Sequence, residues 1–253
     1  LEQKQRIESL YGEARNFSAP VRFSVSTQRY PFTEDAFLRM LRRTTDNRYV
    51  FSIREAGMDA VIDDVYDHRA DIGVIFLTEL TEKIIRRLLD ARDLDFHEIA
   101  AVSPCIYVRK GHPLANRDEV TEEDLAGLPY VSFEHNQGVG SDYSEEYQLL
   151  SMKKPPRRIS VNNRATMMNV LAATDAYTTG SGLLVEGITS QAVVTMPLAG
   201  KTCIRIGWIR PRNSKLTPYV AQFVGLLDQS IAESIAFTES VHQSLCHSGE
   251  ESS

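Results

Sequence analysis

The sequence predicts an α/β protein built around a doubly wound sheet, with helices on both faces of mostly parallel strands. The first observation behind this prediction is an alternation of strand-like and helix-like segments that repeats between residues 21 and 77. The second is the nearly continuous apolar run over residues 71–77, which is typical of a parallel strand covered on both faces. Such units connect through right-handed crossovers, and their ligands bind beyond the carboxyl ends of the strands.

The first strand is predicted over residues 21–26, where apolar and polar side chains alternate. A helix is expected to follow, because Phe37 and Met40 share a face at helical spacing and Arg42 suits the negative end of a helix. Thr33 is the predicted N-cap, since two acidic residues follow it at the positive end of this helix.

The same strand–helix unit then repeats. A second strand is predicted at Tyr49–Glu55, and a helix over residues 58–69 is expected to bury three aliphatic side chains. The third strand is the apolar run over residues 71–77, and a further helix is predicted over about 79–91.

The pattern changes after this repeat. Residues 99–109 are extended in character but contain Pro104, which interrupts a strand. Thr121 opens a predicted short helix with the spacing of a capping box, and Gly127 is expected to end it. A strand is predicted next, at Tyr130–Phe133.

The last third of the chain contains another strand–helix pair and a long helix. A strand is predicted over residues 159–162, with Asn163 as the N-cap of a helix over 166–173. A late strand is expected over residues 203–210, and a long amphipathic helix from about Thr217.

Composition and charge narrow the class of protein. The chain has 34 acidic and 28 basic residues, a net charge of −6, which disfavours wrapping of nucleic acid by this piece alone. No apolar run approaches the ~20 residues of a membrane-spanning helix, and no signal segment opens the chain. Cys105, Cys203 and Cys246 are odd in number and far apart, which indicates a reducing cytoplasm. A redox-sensing role for Cys105 and Cys203 stands as an alternative to ordinary buried thiols.

The sequence offers no motif for catalysis or for metal binding. Its six histidines show no His-x-x-x-His spacing, and His112 lies in a turn where a structural role is expected. Nucleophile elbows, phosphate-binding loops and dinucleotide fingerprints are missing as well. No catalytic residue, metal or cofactor is therefore predicted.

Two groups of polar residues lie where strands are expected to end. The first strand is followed by Ser26, Thr27, Gln28 and Arg29, and the arrangement is repeated later in the chain by Asn162, Asn163 and Thr166. Loop and capping chemistry explains any one of them, but together with backbone N–H groups they suit the binding of a carboxylate. The expected apolar walls and rim of this ligand site are Phe76, Leu77, Phe133, Thr178 and Thr179.

Four stretches, in this order and spacing, resemble the effector-binding domain of LysR-type transcription regulators. They are the strand at 21–26 after a helical leader, 53–57 with the apolar strand at 71–75, 112–115 with 124–127, and the segment ending at 180–184. One position departs from the family: Met58, after an acidic-Gly turn, stands where a small hydroxyl residue is frequent. This departure is expected to make the pocket less polar.

The resemblance implies two Rossmann-like lobes joined by two crossing strands, as in type 2 periplasmic binding proteins. The crossing strands would lie near residues 103–108 and 203–208, with Cys105 and Cys203 on neighbouring strands. The implied division of the chain is the end of a linker helix at 1–19, lobe I at 20–103 with 205–238, lobe II at 104–204, and a disordered tail at 239–253.

The resemblance also implies a function, namely sensing of a small anionic effector between the lobes of a cytoplasmic regulator. DNA would be bound only through a winged helix-turn-helix domain missing from this chain, and the domain is expected to form a homodimer or tetramer, with no membrane contact. Two alternatives share the bilobal fold: the solute-binding protein of a transporter, and an enzyme such as a prephenate-dehydratase-like lyase. The helical leader and the turn at 112–114 favour the regulator, and the Thr-Arg-Phe-type motif of the lyase is not found.

Overall fold

A computed structural model describes residues 20–134, 155–189, 191–200 and 202–250, and it has an α/β fold with two lobes. The strands are β1 Val21–Thr27, β2 Tyr49–Glu55, β3 Ile72–Thr78, β4 Leu94–Val102, β5 Cys105–Arg109, β6 Tyr130–Phe133, β7 Arg158–Val161, β8 Thr178–Gly180, β9 Val193–Pro197 and β10 Ile204–Pro211. The helices are α1 Pro31–Arg43, α2 Met58–Tyr66, α3 Glu82–Ala91, α4 Arg164–Ala173 and α5 Pro218–Glu250.

Lobe I is built on a five-stranded sheet in the order β2-β1-β3-β10-β4. β1 pairs in parallel with β2 and β3, as the repeated strand–helix units predict, whereas β10 pairs antiparallel with β3 and β4. Helices cover both faces: the Phe23 ring of β1 packs on Phe223 of α5, and Gly73 of β3 lies against Val61 and Val65 of α2. The doubly wound arrangement is confirmed, with an antiparallel strand added to it.

Lobe II contains two smaller sheets, β8-β5-β9 and β6-β7. The chain enters this lobe after Val102 and returns to the first sheet at Ile204. The lobe boundaries predicted at 103/104 and 204/205 stay a prediction, which this separation of the sheets supports. Leu183 and Val185, however, fall in the predicted lobe II segment and pack into the core of lobe I.

Several predicted element ends are wrong, each for a local reason. α1 begins at Pro31, with Tyr30 at the N-cap position, so Thr33 lies inside the helix. Proline is favoured at the first helical position because its missing N–H has no partner there in any case. The helix predicted over 58–69 ends at Tyr66, and His68 soon after it has a φ of 57°, which no α-helix continues.

Other predictions fail in the later part of the chain. The short helix predicted after Thr121 is only a series of turns, although Thr121 and Asp124 do exchange the hydrogen bonds of a capping box. The strand β9 was not predicted. The disordered tail predicted over 239–253 is wrong as far as Glu250, where α5 ends. The end of a linker helix, predicted over 1–19, lies outside the described residues.

The two cysteines near the lobe junction are placed differently from each other. Cys105 is a buried residue of β5, whereas Cys203 is partly exposed and lies one residue before β10 begins. The prediction that both lie on neighbouring strands is therefore wrong for Cys203.

Candidate functional site

The polar residues at the end of β1 are engaged inside lobe I. The buried hydroxyl of Ser26 donates a hydrogen bond of 2.8 Å to Asp64 of α2, which also accepts from Arg54 and Arg69. Burial would raise the pKa of Asp64, but the hydrogen bonds from Arg69 and Ser26, with the charge of Arg54, hold it below its usual range. Ser26 is thus committed to a structural network.

Thr27 and Gln28 are also oriented by internal hydrogen bonds. The Thr27 hydroxyl donates to the backbone carbonyl of Gln28 at 2.7 Å and lies 3.2 Å from the hydroxyl of Thr33. Oε1 of Gln28 accepts from the backbone N–H of Phe76 at 3.1 Å. The amide Nε2 of Gln28 has no hydrogen-bond partner among the described residues, so this donor remains for a ligand.

The asparagines of lobe II lie at the beginning of α4 and are exposed. Oδ1 of Asn163 accepts from the backbone N–H of Thr166 at 2.8 Å, which confirms the predicted N-cap. Nδ2 of Asn163 donates to Oδ1 of Asn162 at 2.7 Å. Backbone N–H groups of the first turn of α4 therefore lie next to two solvent-facing amide side chains.

The apolar candidates divide into core and rim. Phe76 and Leu77 are fully buried in lobe I, so they offer no surface to a cleft, and Met58 is almost as buried at the start of α2. Phe133 ends β6, and its ring lies under the guanidinium of Arg29, 3.9 Å from the ring centroid. Phe133 is thus the aromatic candidate that contacts the opposite lobe.

Two buried threonines follow Tyr177 on β8. Thr179 Oγ1 lies 3.1 Å from the hydroxyl of Tyr130. Thr178 Oγ1 is buried and has no hydrogen-bond partner in the described part of the chain. These side chains are part of the lobe II interior.

The lobes meet through charged residues, of which only Arg29 belongs to the polar groups that the sequence predicts. Arg164, the first residue of α4, forms ion pairs with Glu34 of α1 and with Glu55 at the end of β2, the latter at 3.3 Å. We call Arg29, Glu34, Glu55 and Arg164 the charged seam. Nothing in local spacing predicts it, because Arg164 and Glu34 are 130 residues apart in the chain.

The charged seam is formally neutral, with two arginines and two glutamates. Burial raises the pKa of Glu55 above its usual range, and the nearby charge of Glu34 adds to this, while Arg164 and Arg29 oppose it. Burial and the charge of Glu34 therefore disfavour the ionised form of Glu55, and the charges of its arginine neighbours only partly offset this free-energy cost.

α5 connects the lobes a second time. Thr238 Oγ1 of this helix accepts from the backbone N–H of Leu184 at 2.9 Å. His242 Nε2 lies 3.1 Å from the hydroxyl of Thr195 in β9. The residues predicted as a flexible tail thus begin in a helix that contacts both lobes.

The arrangement is suited to binding. It brings together the donor Nε2 of Gln28, the exposed asparagines and N-terminal turn of α4, and two guanidinium groups, all of which suit a carboxylate.

Among the described residues, no helix is both long enough and apolar enough to cross a membrane.

Comparison with known proteins gives one family. A family model described as the LysR substrate binding domain matches residues 38–232, most of the chain. A search of curated protein sequences finds no match.

Solved structures share the fold at low sequence identity. The effector-binding domain of QuiR in complex with shikimate is 14% identical, with a TM-score of 0.55 over 85% of this chain and 99% of that one. An OxyR variant from Corynebacterium glutamicum is 15% identical, with a TM-score of 0.61 over 95% of this chain and 74% of that one. HinK, a LysR family transcriptional regulator from Pseudomonas aeruginosa, is 13% identical, with a TM-score of 0.55 over 91% and 77% of the respective chains.

Proposed function

This chain belongs to the LysR substrate-binding domain family and is an effector-sensing regulatory domain; we propose that its effector is a small organic anion held between the two lobes. Family membership favours this function over the solute-binding protein of a transporter and over an enzyme on the same fold. The candidate site accordingly acts by binding, and its output is a shift between arrangements of the lobes.

One observation carries this proposal. Arg164 contacts Glu55 at 3.3 Å, and Glu55 pairs with Thr27 in the register of β2 and β1. The amino end of α4 in lobe II therefore lies against the carboxyl ends of β1 and β2 in lobe I. Ligands of open α/β sheets bind at such strand ends, and helix amino termini favour anions.

The chemistry of the site suits a carboxylate attached to an apolar or aromatic body. The N-terminus of α4 contributes ~0.3–1 kcal/mol to the binding of an anion. Hydrogen bonds to an ionised group contribute ~1.5–3 kcal/mol each. A few of these contacts, less the cost of immobilising the ligand, correspond to roughly micromolar affinity. Phe133, which contacts Arg29 of the opposite lobe, would supply apolar surface, so a branched or aromatic acid is preferred to an inorganic anion.

A thermal-shift screen of small carboxylic acids tests this proposal, with benzoate and shikimate, the ligand named for QuiR, in the panel. The decisive variant is Asn163→Asp, because aspartate caps a helix as well as asparagine does but repels an anion at that end. Its matched control is Asn169→Asp, the same change on an exposed position of α4 away from the first turn.

We expect the shift caused by the best acid to disappear in Asn163→Asp and to persist in Asn169→Asp. An unchanged shift in both variants would place the ligand away from α4 and contradict the proposal.

The proposal extends to partners and location. In the full regulator, DNA would be bound by an upstream winged helix-turn-helix domain, and the acidic domain described here would not bind it. Self-association as a homodimer or tetramer, in the cytoplasm, completes the proposed assembly. Light scattering that detects only monomer at high protein concentration would count against the oligomer.

A further inference from the structure

Arg164 is shared by two carboxylates of the opposite lobe. The same terminal nitrogen, Nη2, contacts Glu34 Oε2 and lies 3.3 Å from Glu55 Oε1. Arg164 is the first residue of α4 and directly follows the capping residue Asn163. Two protein carboxylates therefore occupy the guanidinium at the helix end where an anionic effector would need its donors.

These ion pairs are accessible enough to be exchanged. The Arg164 side chain is 20% exposed, and those of Glu34 and Glu55 are 37% and 32% exposed. Ion pairs that remain in contact with solvent contribute little to stability, because water competes for both partners. A dissolved carboxylate, which has the same chemistry as a glutamate side chain, would be an effective competitor.

We propose that Glu34 and Glu55 are tethered competitors of the effector, whose carboxylate displaces at least one of them from Arg164. This exchange rests on the proposed function and names its regulation: binding converts an ion pair between the lobes into an ion pair between lobe II and the ligand. The effector thereby changes how the lobes are held together without needing a large movement.

Two further observations support the exchange. Arg29 stacks on Phe133 at 3.9 Å, so a contact between the lobes remains when a glutamate leaves Arg164. Burial and the charge of Glu34 raise the pKa of Glu55. The ionised carboxylate of Glu55 is therefore more stable in water than in the charged seam.

The exchange predicts that the glutamates and the arginine of this ion-pair cluster have opposite effects on the affinity for a small carboxylate. Removing the glutamate charges should strengthen the binding of any small carboxylate, because Arg164 is then uncompensated. Removing the Arg164 charge should cancel that gain. A cluster that only stabilises the fold would not show this pattern.

The experiment uses the chain of residues 1–253 and sodium benzoate as the probe, followed by isothermal titration calorimetry at pH 7 and low salt. The variants are Glu34→Gln/Glu55→Gln and the same pair with Arg164→Gln. The control is Glu82→Gln, which removes a glutamate from a surface ion pair with Arg86, 2.8 Å long, on α3 of lobe I. A cooperative melting transition by circular dichroism confirms that each variant is folded.

We expect the double glutamine variant to bind benzoate about tenfold more tightly than the wild type, since a tethered competitor acts at an effective concentration on the order of millimolar. The Glu82→Gln control should bind like the wild type, and the triple variant should lose the gain. No gain in the double variant, including no detectable binding at all, would overturn the exchange, as would a gain that survives loss of Arg164.

The two proposals fail separately. If Asn163→Asp abolishes the shift caused by a screened acid while the double glutamine variant shows no gain, the cleft is the binding site and only the exchange is wrong. If Asn163→Asp keeps the shift, the proposed site itself is wrong, whatever benzoate does.

Discussion

The hydroxyl of Ser26 donates its hydrogen bond to Asp64, whose side chain is only 3% exposed. This carboxylate also accepts from Arg54 of β2 and from Arg69, so it joins β1, β2 and the segment after α2. A residue that the sequence suggested for ligand binding therefore holds the strand ends that support the site.

Replacing Asp64 with asparagine should destabilise the protein substantially. The change leaves Ser26 and two arginines without their shared carboxylate, and the loss of charge-assisted hydrogen bonds at a buried group predicts about 2–3 kcal/mol. The measurement is urea unfolding at pH 7. Asp67→Asn is the control, because Asp67 is an exposed partner of Arg69 alone, and it should change stability by less than ~0.5 kcal/mol.

The contribution of Asp64 also has a defined pH range. Because its folded-state pKa is lowered, its stabilisation is present above the unfolded value of about 3.9 and is lost as the pH falls through the lower folded value. The stability difference between wild type and Asp64→Asn should therefore shrink in strong acid. A difference that stays constant below pH 3 would contradict the assignment.

Glu55 should contribute more to stability as the pH falls, whereas the contribution of Asp64 is lost in acid. The variant Glu55→Gln tests this difference. The raised pKa of Glu55 means that the folded state binds its proton more tightly than the unfolded state does, so this residue favours folding more as the pH falls. Wild type should therefore gain in melting temperature, relative to Glu55→Gln, when the pH is lowered from 7 towards 4.5.

Arg164→Gln provides the check on that trend. Since Arg164 lowers the pKa of Glu55, its removal should make the gain of stability in acid steeper. If the melting temperature of Arg164→Gln depends less steeply on pH than that of the wild type, Arg164 and Glu55 are not coupled in solution.

Gly182 is required for two separable reasons. Its φ of 74° disfavours any side chain, and an added Cβ would come within 2.7 Å of Cβ of Cys105. Gly182→Ala should therefore destabilise the protein by more than ~1 kcal/mol in urea unfolding.

The matched control for this clash is Gly187→Ala, whose φ of 77° is nearly the same but whose added Cβ meets nothing within 4 Å. It should show only the cost of the backbone conformation. Equal losses of stability in both variants would mean that the contact with Cys105 relaxes freely.

Cys105 should be an inert thiol in the folded protein. Burial raises the pKa of Cys105 to about 12, so almost none of it is thiolate at pH 8, and the thiolate is the reactive form. Labelling with iodoacetamide followed by peptide mass spectrometry should modify the partly exposed Cys203 well before Cys105. In urea the two should react at similar rates, and fast labelling of Cys105 without urea would revive a redox-sensing role.

Local features of this chain follow closely from its sequence. The alternation of apolar and polar residues located β1, and the side chain of Asn163 identified the beginning of α4, because each depends on neighbours a few residues away. The start of α1 was misplaced since Thr33 and Pro31 both carry helix-start signals and only packing selects between them. The sequence does not predict β9, because this strand is short and its partner β5 is distant from it in the sequence.

The candidate site shows the same division more sharply. The sequence by itself determined the α/β class, the likeness to one family and the polar character of the strand ends, since these are written in local pattern and composition. Only the tertiary structure decided that the Ser26 hydroxyl donates to Asp64 and that Phe76 and Leu77 lie in the core. It alone also decided that Arg164 forms ion pairs with both Glu34 and Glu55. The physical reason is that an ion pair or a buried contact depends on distance in space, and residues 130 positions apart share no local signal until the lobes bring them together.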